Sequence, residues 1–391
     1  MTAERRSIPR DPQDDYSDSA SSNRRSFLHQ ETGADLNHTG NYSFHAGLVA
    51  GNIENFIGVA QVPIGVAGPL LVNGEYAQGE FFVPLATTEG ALVASYNRGM
   101  RVIHESGGAT VTVTTDHMQR SPVFLFDSAR TARDFGLWIE TSINQIRSVA
   151  EATTSVGKLE GITQFAVGPL LYLRFDFTTG DAAGQNMVSK ATLAACQWIA
   201  DNNPGHPEFI LSGNIDTDKK HSQINMLLGR GKRVIAEVVT PQEVLQRLLG
   251  VTPEKLFRAR QISQAGAFLV GSANNGAHAA NGLTALYLAT GQDVANVSES
   301  HGGLLYTQLL ETGDYYWSIT LPSVIVATRG GGTGLATQRE CLQLLDCVGD
   351  GKARKFAEIV GATVLAGEIS LASAVIAGDW VTGHENLGRN R

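Results

Sequence analysis

Apolar and polar positions change period several times along this chain, and each change marks a predicted element. Phe81–Leu85 is a short apolar run that reads as a strand, and Thr88 stands where it can cap a helix over Glu89–Met100. Before it, Pro63–Leu70 is so rich in Gly and Pro that it reads as a turn-rich connector. Pro122–Phe126 is strand-like, Ala129–Val149 has helical spacing, and Leu170–Phe177 is again strand-like. Asp181–Asp201 reads as a helix and Phe209–Leu211 as a strand. This alternation predicts a compact α+β unit with an open sheet over residues 122–210. A strand at Arg233–Val239 follows, then helix-like stretches at 241–249, 253–292, 334–346 and 352–378. The middle unit thus reads as an insertion into a larger domain made of residues 26–121 and 211–378. Residues 1–25 are rich in Ser, Asp and Arg, with few large apolar side chains to repay ordering, and read as a disordered leader.

At 391 residues the chain is long enough for at least two cores. Its net charge of -8, from 30 basic and 38 acidic residues, argues against bulk nucleic-acid binding but leaves room for local basic pockets. Three cysteines, Cys196, Cys341 and Cys347, make no disulfide framework and suit a reducing cytoplasm as small buried side chains. No apolar run reaches the roughly 18–20 residues of a membrane span, and the N-terminus lacks a secretory apolar core. A soluble protein without membrane partners is expected. The 43 glycines suggest tight turns and close backbone approaches, as in enzymes that bind phosphorylated cofactors.

Two segments carry the candidate chemistry. Ser212–Lys220 puts Lys219 and Lys220 behind Asp216 and Asp218, and Pro84–Gly90 places Glu89 among small and apolar residues. A lysine near a buried glutamate can stabilise an oxyanion and keep a proton to donate. Taken singly, Glu89 also reads as a helix-start carboxylate and the lysines as a solvated basic turn. Gly180–Met187 and Thr328–Gly334 are Gly-bounded turns of the kind that offer backbone N–H groups to an anion. Asp293 reads as a helix-end carboxylate and His384 as a surface histidine near the C-terminus. There is no G-x-G-x-x-G, P-loop, G-x-S-x-G or H-E-x-x-H, and the histidines have no metal-ligand spacing, so no metal is expected.

Collinear segments resemble the 3-hydroxy-3-methylglutaryl-CoA reductase family: Glu54–Gly58, Pro63–Leu70, Pro84–Ser95, Asp181–Met187, Ser212–Lys220, Gly229–Lys232, His278–Asn281, Gly291–Asp293, Gly330–Thr333 and Gly367–Leu371. The pattern is similar to the eukaryotic and archaeal type of catalytic domain. The resemblance implies a large helical substrate and CoA domain with an inserted, ferredoxin-like dinucleotide domain. It implies reduction of HMG-CoA to mevalonate and CoA by two hydrides from NADPH or NADH. Glu89 matches the catalytic acid, Lys219 the cation over the carbonyl oxygen, Asp293 the acid coupled to both, and His384 the proton donor to the CoA thiolate, on a mobile flap over residues 379–391. Arg120, Ser212, Asp218, Lys220 and Asn281 match substrate-holding positions. Asp181, Gly184, Asn186, Met187 and Gly330, Gly331 and Gly332 match the dinucleotide site. A homodimer or larger homo-oligomer with shared active sites is also implied.

Two positions depart from the family pattern. Ser155 stands where NADPH-using relatives usually carry an Arg for the 2′-phosphate, leaving Lys158 and Arg329 as substitutes. Gln261 stands where a Lys commonly pairs with the substrate carboxylate, leaving Arg258 or Arg260. NADH use is therefore a live alternative. So is NAD-linked mevalonate oxidation in the catabolic direction. A non-catalytic CoA- or nucleotide-binding relative would need none of the proton donors.

Overall fold

The computed structural model describes residues 6–378. Its first helix, α1 (Asp18–Thr32), begins inside the expected leader, which is corrected from residue 6 onward. Ser17 Oγ accepts the Ala20 N–H at 3.1 Å, and Gly33 ends the helix at φ 71°. Its anchor is polar. Arg24 is fully buried and pairs with Asp15, donating also to Pro9 O at 3.1 Å and Phe56 O at 3.2 Å. A composition argument that counts apolar residues cannot see such an anchor.

A hairpin follows, β1 (Ile64–Gly74) with β2 (Gln78–Ala86). The run read as a connector is therefore largely strand: Gly65, Val66 and Ala67 pair with Leu85, Pro84 and Val83. Pro69 falls at the irregularity between Ala67 and Leu70, where no ladder N–H is needed, and Ala67, Leu70 and Val72 are buried. Helix α2 (Leu92–Glu105) starts later than expected. Glu89 belongs to the preceding turn, where Thr87 Oγ1 accepts its N–H at 3.0 Å, and Ala91 precedes the helix at φ 67°.

Strand β3 (Ala109–Arg120) links two cores, pairing with β1 and β8 early and with β6 through Met118–Arg120. The second core is built by β4 (Val123–Leu125), α3 (Ala129–Thr141), α4 (Ile143–Glu151), β5 (Lys158–Val167), β6 (Leu170–Thr178), α5 (Gln185–Asn202) and β7 (Phe209–Ile210). Phe124, Phe135, Ile146, Leu173, Phe175 and Ile199 fill it. Ser142 divides the single helix expected over 129–149.

The chain then returns to the larger core through α6 (Gln223–Leu228), β8 (Gly231–Thr240), α7 (Gln242–Leu249), α8 (Pro253–Leu269), α9 (Ala279–Thr290), α10 (Val297–Ser300), β9 (Leu304–Leu309), β10 (Tyr315–Val324), α11 (Ala336–Leu344) and α12 (Ala353–Ala377). The helix expected over 253–292 is two helices separated by residues 270–278. The strands run β7-β4-β6-β3-β8-β10-β9, with β1 beside β3 and β2, and β5 beside β6. Helix α12, with mean hydropathy 1.9, is long and apolar enough to cross a bilayer, but most of it is buried in the larger core. It carries two buried carboxylates. Glu358 accepts the N–H groups of Glu75, Tyr76 and Ala77 at the β1–β2 turn, and Glu368 accepts those of Ala277, His278 and Ala279 at the start of α9.

Candidate active site

Lys219 and Asp293 come together. Residues 212–222 lie between β7 and α6, and the turn after α9 carries Asp293 as the cap of a short 3-10 turn, its Oδ1 accepting the Ala295 N–H at 3.1 Å. Asp293 Oδ2 is 2.9 Å from Lys219 Nζ, and both side chains are about half exposed, at 43% and 47%. The hydrogen bond that Lys219 donates to Asp293 is the main cause that raises the lysine's proton affinity, aided by the Asp293 and Asp218 charges against desolvation. A retained ammonium beside a carboxylate is a fitting partner for a developing oxyanion.

Glu89 meets Asn281, whose Nδ2 donates to both carboxylate oxygens at 3.1 and 3.0 Å. Glu89 is exposed, so the burial expected for it is absent within this one chain. Asn281 lies in the first turn of α9, and Asp293 lies beyond the last. The nine steps of helix from Asn281 to Thr290 span about 13 Å. Glu89 with Asn281, and Lys219 with Asp293, therefore occupy opposite ends of one helix. His384 lies outside the described residues.

The expected substrate-holding residues are engaged with the protein. Arg120 Nη1 lies 2.7 Å from Asp216, and Ser212 Oγ donates to the same carboxylate at 3.3 Å. Asp218 Oδ1 accepts from Arg230 at 2.9 Å and Gln185 at 3.1 Å, so it braces the loop. Lys220 is exposed, its Nζ donating to Asp218 O at 3.1 Å. Arg260, a candidate stand-in beside Gln261, is corrected: it is buried and donates to the carbonyls of Asn275 and Leu305, while Gln261 is exposed.

The expected dinucleotide residues form one neighbourhood. Helix α5 begins after Gly184 at φ 83° with no side-chain cap, leaving its first N–H groups open to an anion. Thr154 Oγ1 meets Met187 Sδ at 3.0 Å, which brings the exposed Ser155 turn beside Met187 and the exposed Asn186. Asp181 O accepts the N–H groups of Thr328 and Arg329, joining the Gly330–Gly332 turn to this region. A Cβ on Gly291 would stand 2.2 Å from Gly332 O, so that turn packs against the segment leading to Asp293. The Asp181 carboxylate is also engaged within the chain: it accepts the Gly351 and Ala353 N–H groups at 2.7 and 3.0 Å. Lys158 pairs with Glu151 at 2.9 Å and Arg329 with Asp350 at 3.1 Å.

Glu299 escaped sequence reading, and Asp216, Gln185 and Arg230 appeared only within motifs, with no role assigned. Each acts through a partner distant in sequence, so no local spacing announces it. Among the described residues no group of His, Cys, Asp and Glu could hold a metal ion.

The model of the hydroxymethylglutaryl-coenzyme A reductase family matches residues 20–389. A 3-hydroxy-3-methylglutaryl-coenzyme A reductase of Pyrococcus abyssi is 45% identical, over 94% of this chain and 92% of its own. Its counterpart in Methanocaldococcus jannaschii is also 45% identical, with the same coverages of 94% and 92%. A solved class II reductase of Streptococcus pneumoniae, bound to NADPH, has the same fold at TM-score 0.70 and 21% identity, over 90% of this chain and 86% of that one. With its motifs collinear and Lys219 set on Asp293, the chain belongs to the hydroxymethylglutaryl-coenzyme A reductase family.

Proposed function

We propose that this protein reduces HMG-CoA to mevalonate and free CoA, oxidising two reduced nicotinamide dinucleotides and taking up two protons, in the cytoplasm. The observation that carries the reading is the Lys219–Asp293 pair, in a chain 45% identical to named reductases over nearly its full length. Lys219 Nζ stabilises the oxyanion that forms as the thioester carbonyl is reduced. Asp293 raises that lysine's proton affinity further and orients its ammonium. Glu89, oriented by Asn281, shares with Lys219 the supply of a proton to the aldehyde oxygen in the second reduction. His384 is read as the donor to the departing CoA thiolate. Arg120, Ser212 and Lys220 hold the substrate, and Asp218 keeps their loop in place.

The unit over 122–210 is read as the dinucleotide domain, because α5 opens without a cap beside the Ser155 and Gly330–Gly332 turns. NADPH or NADH, when bound, supplies the hydrides. The uncapped first turn of α5 suits the pyrophosphate of either. Lys158 and Arg329, the cations beside the two turns, are each paired with a carboxylate, which favours NADH.

A homodimer with shared sites completes the reading. Its support is the separation of Glu89–Asn281 from Lys219–Asp293 along α9, together with an apolar end of α8 at which Phe268 is 90% and Leu269 84% exposed. Parallel assays of nicotinamide absorbance with HMG-CoA and either cofactor test the chemistry. Two equivalents oxidised per CoA released are expected. A kcat/KM for NADPH more than roughly ten times that for NADH would reject the NADH preference. No oxidation with either cofactor would reject the reductase.

A further inference from the structure

Lys219 is gripped at two points by one short segment. Asp293 takes its side chain, and six residues later Glu299 takes its backbone: the Lys219 N–H donates to Glu299 Oε1 at 2.6 Å. The backbone there needs holding. Lys219 has φ 57°, and Asn214 and Thr217 in the same loop have φ 69° and 48°. Left-handed conformations at non-glycine residues persist where the surroundings over-determine them.

Glu299 is built as such a surrounding. Its side chain is fully buried, and so is that of Arg230, whose Nη1 lies 2.7 Å from Glu299 Oε1. Asn225 Nδ2 donates to Oε2 at 3.1 Å, so both carboxylate oxygens are engaged. Burial raises the proton affinity of Glu299, while the Arg230 charge and the Lys219 N–H oppose that. The other arm of Arg230 holds Asp218, the residue before Lys219, at 2.9 Å. Gln185, the first residue of α5, donates to Asp218 at 3.1 Å and to Asn296 at 3.0 Å. The brace therefore runs from the lysine loop to the first turn of the helix beside the dinucleotide turns.

We propose that Glu299 is a positioning residue for the reduction: it fixes the backbone from which Lys219 Nζ reaches Asp293, and through Arg230 and Asp218 it ties that lysine to the start of α5. The proposal rests on the reductase reading for its kinetic consequence and on geometry alone for the hold on Lys219.

The test uses the full chain with Glu299→Gln and Glu299→Asp. The first removes the charge; the second keeps the charge for Arg230 but withdraws the carboxylate by one methylene, and remains available if the first does not fold. Lysine acetylation by a limiting anhydride, followed by mass spectrometry, reads Lys219 against the exposed Lys190 and Lys255. Both variants are expected to raise Lys219 labelling several-fold with the reference lysines unchanged. They should also lower kcat about tenfold or more while KM for HMG-CoA stays within about threefold. Unchanged Lys219 labelling overturns the proposal, whether or not the protein turns over HMG-CoA. A uniform rise at all lysines, or selective labelling without a fall in kcat, overturns it as well. Absence of turnover in the unaltered protein instead refutes the reductase reading, and the labelling still decides whether Glu299 holds Lys219.

Discussion

Asp293 acts on Lys219 mainly through one hydrogen bond, so its removal should leave a lysine that is present but poorly held and more easily deprotonated. With Asp293→Asn we expect kcat to fall about 100-fold, the scale of losing one oriented electrostatic partner, with KM for HMG-CoA little changed. Steady-state kinetics on the purified variant check this. His278 supplies a second expectation. Burial, aided by the Arg98 charge, lowers its pKa from the ordinary 6.5 to about 4. The unfolded chain then takes up a proton near pH 6.5 that the folded chain refuses until about pH 4. Its contribution is fully present above pH 6.5 and is lost as pH falls through that window, by about 3 kcal/mol in all. The stability of the unaltered protein minus that of His278→Gln, from urea unfolding, should fall by about that amount between pH 7 and 4; subtraction removes the titration of other groups. A flat difference would refute it. Glu89 and Lys219 stood out in the sequence because their segments set charges among small and apolar residues, whereas Asp293 was picked out only by the family resemblance. Glu299 did not stand out, because it is 80 positions from the amide it accepts, and the hold of the Asp181 carboxylate on the start of helix α12, 172 positions away, was equally invisible.

At the scale of elements, local pattern was most faithful where one face is buried and the other wet. Helices α7 and α11 and strand β6 fall close to their expected bounds. It failed where tertiary contacts replace local signals. Strand β1 hides in a Gly/Pro-rich run because its bulge accommodates Pro69, and α1 is held by the buried guanidinium of Arg24 rather than an apolar stripe. Strands β9 and β10 went unforeseen; β10 is buried nearly throughout and shows no alternation to read. Helix α12 organises the larger core by close crossings. At the crossing with α2, a Cβ on Gly99 would stand 1.8 Å from Ala366 O, a backbone atom that cannot step aside. Gly99→Val should therefore lower stability by more than about 3 kcal/mol, or prevent soluble expression, because the helices must separate along their length. A denaturant midpoint close to that of the unaltered protein would show that the crossing yields more easily than its geometry implies.

Over the whole molecule, α9 separates two groups of polar side chains. Glu89 and Asn281 lie at the start of the helix, Lys219 and Asp293 beyond its end, with about 13 Å of helix between them. A site shared between subunits, as proposed, joins the first group of one chain to the second group of the other across a twofold axis. This makes a genetic prediction. Glu89→Gln and Lys219→Ala should each be nearly inactive when expressed alone. Co-expressed in equal amounts, half of the dimers are mixed, and in each mixed dimer one site carries both lesions while the other carries neither. About one quarter of the unaltered activity should return. If all four groups served within one chain, every site in the mixture would carry one lesion, and activity would stay at the level of the single variants.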